Sequence, residues 1–332
     1  MAQTPSIPKY LQEDDIPQEC RDLIPSLPRE DGWVGSSLHL YQGFWISTSH
    51  LKGVLACQRH FRARDTDILL ITTPKSGSTW LKALLFALLN RAKFSGSSKL
   101  QHPLLRQNPH DLLPFLEFQL YFLEDAPDLA SLPSPRLFAT HLPYQSLPQS
   151  VRDSKCKLVY LCRNPKDTFI SLWHFTNKAR PKDKGDNCLQ ESLDKFCRGV
   201  SLCGPYWDHV LGYHRVSSEI PERALFLKFE DMKEDPHPQL KRLAEFMGCP
   251  FSEEETRHGA VEEILRLCSF DNLSALEVNK SGKLASGEET ESFFRRGDVG
   301  DWVNFLNVEM ADRIDQVTEE KLHGSGLKFS CV

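Results

Sequence analysis

The stretch Asp67-Ile68-Leu69-Leu70-Ile71-Thr72-Thr73-Pro74-Lys75-Ser76-Gly77-Ser78-Thr79-Trp80 sets the fold class. From Ile68 to Ile71 it is apolar without alternation, the pattern of a parallel strand buried on both faces. A polar loop follows at 73–78. From about 79 to 92 the residues Leu81, Leu84, Leu85, Leu88 and Leu89 recur at spacings of three and four, which predicts an amphipathic helix. A strand feeding a tight loop and a helix N-terminus suits an anion, because free backbone N–H groups and the helix dipole point at it. Gly77 lets the backbone approach closely. Ser76, Ser78 and Thr79 add hydroxyls, and Lys75 adds a positive charge. The loop is not the G-x-x-x-x-G-K-[ST] of nucleotide triphosphatases: Lys75 precedes Gly77, and residue 72 is Thr. A plain strand–helix connection with polar turn residues would look the same locally.

Further apolar runs read as buried strands at 136–140, 157–162 and 224–229. Helical patterns lie at about 165–177, 191–199, 205–217, 237–248, 254–267 and 308–322. Strands alternating with helices predict an α/β fold, a mostly parallel central sheet flanked by helices on both faces. Residues 1–30 carry Pro5, Pro8, Pro17, Pro25 and Pro28 and read as a loosely ordered arm with a short helix near 18–24. Residues 31–332, free of repeats and low-complexity linkers, read as a single domain.

Composition narrows the function. Hydrophobic residues make up 40% and charged residues 26% of the 332, as in an ordinary globular protein. A net charge of -5 argues against nucleic-acid or membrane-surface binding, while leaving room for a local basic pocket. The ten cysteines, Cys331 included, form no C-x-x-C pair, and several sit in apolar runs; free thiols in a reducing compartment fit best. The N-terminus lacks a basic start and an apolar core, and Trp80–Leu89 is too short to span a bilayer. The expected location is cytoplasmic. There is no convincing metal-ligand cluster.

With Thr73-Pro74-Lys75-Ser76-Gly77-Ser78-Thr79-Trp80-Leu81-Lys82 in view, the chain resembles the cytosolic sulfotransferases, whose corresponding loop is usually PKSGTTW. The resemblance runs from about residue 33 to Phe329. It is greatest to plant members, as in Asn108-Pro109-His110, His102-Pro103-Leu104-Leu105 and the ending Gly324-Ser325-Gly326-Leu327-Lys328-Phe329. Ser78 replaces the commoner Thr and keeps its hydroxyl.

The resemblance implies a co-substrate, PAPS (3'-phosphoadenosine 5'-phosphosulfate), a product, PAP, and no metal. It implies that Lys75, Ser76, Gly77, Ser78 and Thr79 hold the 5'-phosphosulfate and that Trp80 stacks on adenine. Arg163 and Ser171, eight residues apart, match the family's 3'-phosphate pair. Phe293-Phe294-Arg295-Arg296-Gly297-Asp298-Val299-Gly300-Asp301-Trp302 resembles F-x-R-K-G-x-x-G-D-W, with Arg295, Arg296 and Gly297 closing over that phosphate. Ser269 and Phe270, in Cys268-Ser269-Phe270, match nucleotide-touching residues. Trp207 falls where animal members carry an adenine-contacting Tyr. Taken singly, Trp80 reads as readily as a core aromatic, and Arg163 as a salt-bridge partner.

Among twelve histidines, His141 is distinguished by following the strand at 136–140, where the family places its general base. An imidazole with a reference pKa near ~6.5 can accept a hydroxyl proton at neutral pH. Lys75 would neutralise charge on the leaving bridging oxygen, and Ser76 would hold Lys75 back until acceptor arrives. Animal members often carry a Lys two residues before this His; here that residue is Ala139. Aromatic residues Phe44, Trp45, Phe115, Phe118, Tyr121, Phe122, Tyr144 and Phe175 fall in loops expected to line the acceptor site, half of them as core. They suit a flat apolar acceptor with one hydroxyl: a flavonoid or other phenol first, a brassinosteroid or hydroxyjasmonate second. The family's dimer segment K-x-x-x-T-V-x-x-x-E is kept only at Val308, so a monomer is expected. The rival readings are a P-loop-type small-molecule kinase, a non-catalytic small-ligand-binding protein on the same fold, and a Golgi carbohydrate sulfotransferase. The misplaced Lys75, the intact Lys75 and His141, and the missing anchor count against them in turn.

Overall fold

The computed structural model of the chain describes residues 8–13 and 16–329, with 96–98 in backbone only. Of the expected arm, residues 1–7, 14 and 15 lie outside the described residues, as does Cys331.

A small antiparallel sheet precedes the first expected strand. It consists of β1 (Arg29–Asp31), β2 (Ser37–Tyr41) and β3 (Phe44–Ser47), in that order. The sequence reading does not anticipate it, because β2 breaks the usual alternation. His39 is buried there, its Nε2 3.0 Å from Thr48 Oγ1. Helix α1 (Thr48–His60) continues directly from β3.

The second sheet is the one the apolar runs predict. β4 (Ile68–Thr72), β5 (Leu137–Thr140), β6 (Lys157–Cys162) and β7 (Ala224–Lys228) are parallel, in the order β5-β4-β6-β7. All five residues of β4 are buried. Successive side chains point to opposite faces, so both faces of β4 are covered. The covering helices include α2 (Ser78–Asn90), α3 (Pro165–Ala179), α4 (Tyr206–Glu219) and α5 (Val308–Leu322). The helix expected at 254–267 is two, Glu253–Arg257 and Ala260–Leu267, because Gly259 between them takes φ 72°.

Parallel strands share one C-terminal edge. The chain leaves β4 for β5 on one side and later enters β6 on the other, which opens a crevice beyond the end of β4. Thr72, Thr140 and Cys162 end these three strands. The loop at 73–77, His141 and Arg163 therefore leave the sheet side by side. At the opposite edge Arg136 and Asp67, both buried, pair through Nη2–Oδ2 at 2.5 Å and Nε–Oδ1 at 2.8 Å, fixing the start of β5 on that of β4.

One hydrophobic core runs from Ile16 to Leu327. Near the N-terminus, Ser49 Oγ donates to the Tyr10 carbonyl at 2.7 Å, and helix Gln18–Leu23 buries Cys20. The nine described cysteines are free thiols, six of them buried. No described helix is long and apolar enough to cross a membrane, and no described group of three His, Cys, Asp or Glu could hold a metal ion.

Candidate active site

The loop between β4 and α2 is wound tightly. Gly77, the residue before α2, has φ 102°, and a Cβ there would lie 2.7 Å from the Phe229 ring. Both conformation and space demand glycine. Lys75 takes φ 67°, a left-handed conformation that costs a non-glycine residue energy. That conformation aims Nζ across the crevice, 4.3 Å from the Phe175 ring centre and 5.7 Å from that of Phe293. Nζ also lies 3.5 Å from the Ser292 carbonyl. No described carboxylate is within ion-pairing distance of it. The Lys75 ammonium is pushed down to about 7, first by burial, then by Arg163, Arg295 and Lys178. Ser76 is turned away: its Oγ is buried 2.6 Å from Thr73 Oγ1 rather than on Lys75. Trp80 meets Phe229 edge-on at 5.5 Å.

From the end of β6, Arg163 crosses to the C-terminal segment. One Nη donates to the Asp298 carbonyl at 2.7 Å and lies 3.5 Å from Asp167, while the buried Nε has no partner among the described residues. Asp167 also accepts from the backbone of Gly300 and Trp302, so it fastens the 293–302 segment against α3. Arg295 and Arg296 share the buried Asp301, at 2.6 and 3.2 Å, and Arg295 Nε is likewise unpartnered. Gly297 has φ 71°, and a Cβ there would meet the Phe270 ring at 2.7 Å. Ser269 caps the helix Phe270–Ala275 by accepting from Asn272 N.

His141 begins where β5 ends. Its Nδ1 is 2.6 Å from the Thr72 carbonyl and 3.2 Å from Thr72 Oγ1. A carbonyl only accepts, so Nδ1 carries the hydrogen and Nε2 is the free acceptor. Nε2 has no hydrogen-bond partner among the described residues. The backbone is pinned too: Glu117 accepts from His141 N at 2.6 Å, and His209 Nε2 donates to its carbonyl at 3.0 Å. Burial above all holds the imidazole down to about 3; Lys82, His209 and Lys75 act the same way, and the Thr72 bond opposes them. In the same dry surroundings the Glu117 carboxyl is pushed up to about 7.

These groups face one cavity of about 560 Å³. Its wall brings together Lys75, Gly77, Ser78, Thr79, Trp80, His141, Arg163, Ser171, Ser269, Phe270, Arg295, Arg296 and Gly297, with Phe115, Phe118 and Phe175. Other expected residues lie elsewhere. Ser76 is bonded to Thr73, as described. Trp207 is buried with its Nε1 donating to Thr318 Oγ1 at 2.9 Å, outside the wall. Phe44 is core, Trp45 packs with Leu38 and Val200, and Tyr144 packs edge-on against Tyr213. Tyr121 and Phe122 are buried behind the wall. Strand alternation explains Phe44 and Trp45, which belong to β3 rather than a loop.

The sequence reading gives no role to three residues that the structure places beside the site. Lys82 is wholly buried on α2, His110 lines the cavity, and Glu117 holds His141. Lys82 was findable: it is the one charged residue in the apolar run Trp80–Leu89, on the face of Leu81 and Leu85. His110 and Glu117 carry no comparable signal.

A family model, Sulfotransferase domain, matches residues 65–326. The chain is 51% identical over 330 residues to Cytosolic sulfotransferase 12 of Arabidopsis thaliana, covering 99% of this chain and 100% of that protein. It superposes with a TM-score of 0.77 on an Arabidopsis thaliana protein assigned provisionally as a steroid sulphotransferase, at 46% identity over 98% of this chain and 100% of that one. A mouse sulfotransferase solved in complex with PAP gives a TM-score of 0.68 at 28% identity, covering 87% and 95%. The chain belongs to the sulfotransferase family.

Proposed function

We propose that this protein transfers the sulfuryl group of PAPS to a hydroxyl of a small, neutral, mostly apolar acceptor. One observation carries this reading: a neutral imidazole with its Nε2 without a partner among the described residues, and a lysine with no described carboxylate in ion-pairing distance, face one cavity from the ends of adjacent strands. The wall also fits the donor. Arg163 and Arg295 each have a buried, unpartnered Nε, and Gly77 and Gly297 each leave room where any Cβ would clash. Lys75, Arg163, Lys233, Arg295 and Arg296, five cations, line the cavity of a chain whose net charge is -5. The mouse relative's PAP complex supports the same donor.

In this reading His141 Nε2 takes the acceptor hydroxyl proton as oxygen attacks sulfur. The bond from sulfur to the bridging oxygen breaks, and Lys75 Nζ neutralises the charge that collects on that oxygen. Arg163, Ser171, Arg295 and Arg296 hold the 3'-phosphate. The negative donor raises the basicity of His141, which burial and the neighbouring Lys82 and Lys75 depress.

For the acceptor, Phe115, Phe118 and Phe175 give flat apolar walls suited to a phenol, and the Arabidopsis relative's provisional assignment supports a steroid. Glu288, which also lines the cavity, disfavours a carboxylate such as hydroxyjasmonate. We read the protein as a monomer and as cytoplasmic, the location that the name of the Arabidopsis relative, Cytosolic sulfotransferase 12, supports. Calorimetric titration tests the donor. PAP should bind without metal, far more tightly than ATP with Mg, and lose affinity in Arg163→Ala. Binding of ATP–Mg but not PAP would replace this reading with a kinase.

A further inference from the structure

A hydrogen-bonded chain reaches the phosphate loop from behind. Lys82 Nζ lies 3.0 Å from His110 Nδ1, and His110 Nε2 lies 2.9 Å from Thr79 Oγ1. Thr79 and Lys82 are three apart on the first turn of α2, so they share a face. Lys82 is wholly buried with no described carboxylate in ion-pairing distance, and its Nζ stands 3.4 Å from the Phe115 ring centre. His110 is held rigidly. Asn108 accepts from its backbone N, Asn108 is tied in turn to Asn279, and the imidazole packs 4.2 Å from the Phe293 ring.

The chain has a direction. When Lys82 is protonated, as an anion in the cavity favours, it has only hydrogens to offer, so His110 Nδ1 accepts and Nε2 carries the hydrogen. That hydrogen occupies a lone pair of Thr79 Oγ1. The threonine's own hydrogen must then point elsewhere, and Thr79 lines the cavity. Without the lysine, His110 could take the other tautomer and consume the Thr79 hydrogen, turning a lone pair toward the anion instead. Burial pushes the Lys82 ammonium well below its ordinary value, with Glu117 and Asp111 opposing; an anion in the cavity favours the protonated, donating form.

We propose that Lys82 and His110 are positioning residues that fix the Thr79 hydroxyl as a donor to the 5' anionic group of the nucleotide. This rests on the nucleotide reading above, which places Thr79 against the 5' side. The effect is polarity, not packing, so it must be specific to the 5' group.

Calorimetry with two probes tests it: adenosine 3',5'-bisphosphate and adenosine 3'-monophosphate. Lys82→Met and Thr79→Val should each weaken the bisphosphate by about 10- to 100-fold, the range for a hydrogen bond to a charged group. The 3'-monophosphate should change less than about twofold, since it lacks the 5' group. The double variant should bind the bisphosphate no more weakly than Thr79→Val alone, because both changes remove one interaction. His110→Phe, which keeps the ring packing and removes both nitrogens, should behave like Lys82→Met and gives a second reading should the latter not fold. Equal losses for both probes, or additive losses in the double variant, would overturn the proposal and leave the donor assignment standing. A parent protein that does not prefer the bisphosphate would overturn the donor assignment, and this proposal with it.

Discussion

Nδ1 of His141 lies 2.6 Å from the carbonyl oxygen of Thr72, the last residue of the neighbouring strand β4. The contact settles the tautomer and exists because β4 and β5 are paired in parallel, with Ile71 opposite Thr140. The same register therefore sets the geometry of the sheet and the direction of the free Nε2. His141→Ala removes that acceptor together with the Thr72 bond and the ring packing on Phe115, 4.3 Å away. Turnover should fall by about 10²–10⁴, the usual contribution of a general base, with PAP affinity nearly unchanged. Steady-state kinetics beside a binding titration would check both, and near-normal turnover would remove His141 from the mechanism.

Lys75 makes a pH prediction with a definite sign. Its ammonium sits at about 7, held down by burial and by Arg163, Arg295 and Lys178. At pH 8 it is therefore largely neutral before the nucleotide binds. Negative charge beside it raises its pKa, so binding at pH 8 should take up a proton, and affinity should decline as pH rises above about 7. Below that, Lys75 is charged in both states and the linkage fades. Titrations at pH 8 in two buffers of different ionisation enthalpy measure the uptake. Lys75→Met should reduce it, leaving what Lys82 takes up.

His141 adds the acid side of the profile. With the imidazole at about 3, its basic form persists far below the ordinary histidine range. The acid limb of kcat/KM, which reports free enzyme, should not show a fall near pH 6.5 due to this residue. A clean break at 6.5 that vanishes in a His141 variant would contradict the buried environment described for it.

Gly297 tests the 3'-phosphate side through the backbone. Alanine there must hold φ 71° and would put Cβ 2.7 Å from the Phe270 ring. The conformation alone costs about 1–2 kcal/mol. PAP affinity should fall and thermal stability drop modestly, whereas Gly324→Ala, with φ 73° but no neighbour within 4 Å, should lose a little stability and no affinity.

Much of the fold and of the site is legible in the sequence. β4 and β6 announce themselves because strands buried on both faces are apolar without interruption. The phosphate loop is equally local, since Gly77 and the hydroxyls at 76, 78 and 79 follow one another in the chain. The antiparallel strands at 29–47 were not legible. His39 lies buried inside β2 with its Nε2 on Thr48 Oγ1, a pairing that only the turn into α1 creates. Lys82, His110 and Glu117 are hidden for the same reason: they come from three separate segments, and only the fold brings them to the site. Trp207 shows the converse. A position matched by family resemblance points here to Thr318 on α5 rather than into the cavity.

The central claim is the reaction itself, and acceptor-dependent release of PAP from PAPS tests it most directly. Purified protein with a chelator, PAPS and a panel of neutral phenols and steroids should form PAP and sulfated product in equal amounts, and the chelator should not slow it. PAP release that no acceptor stimulates, or transfer that requires a divalent metal, would contradict the account.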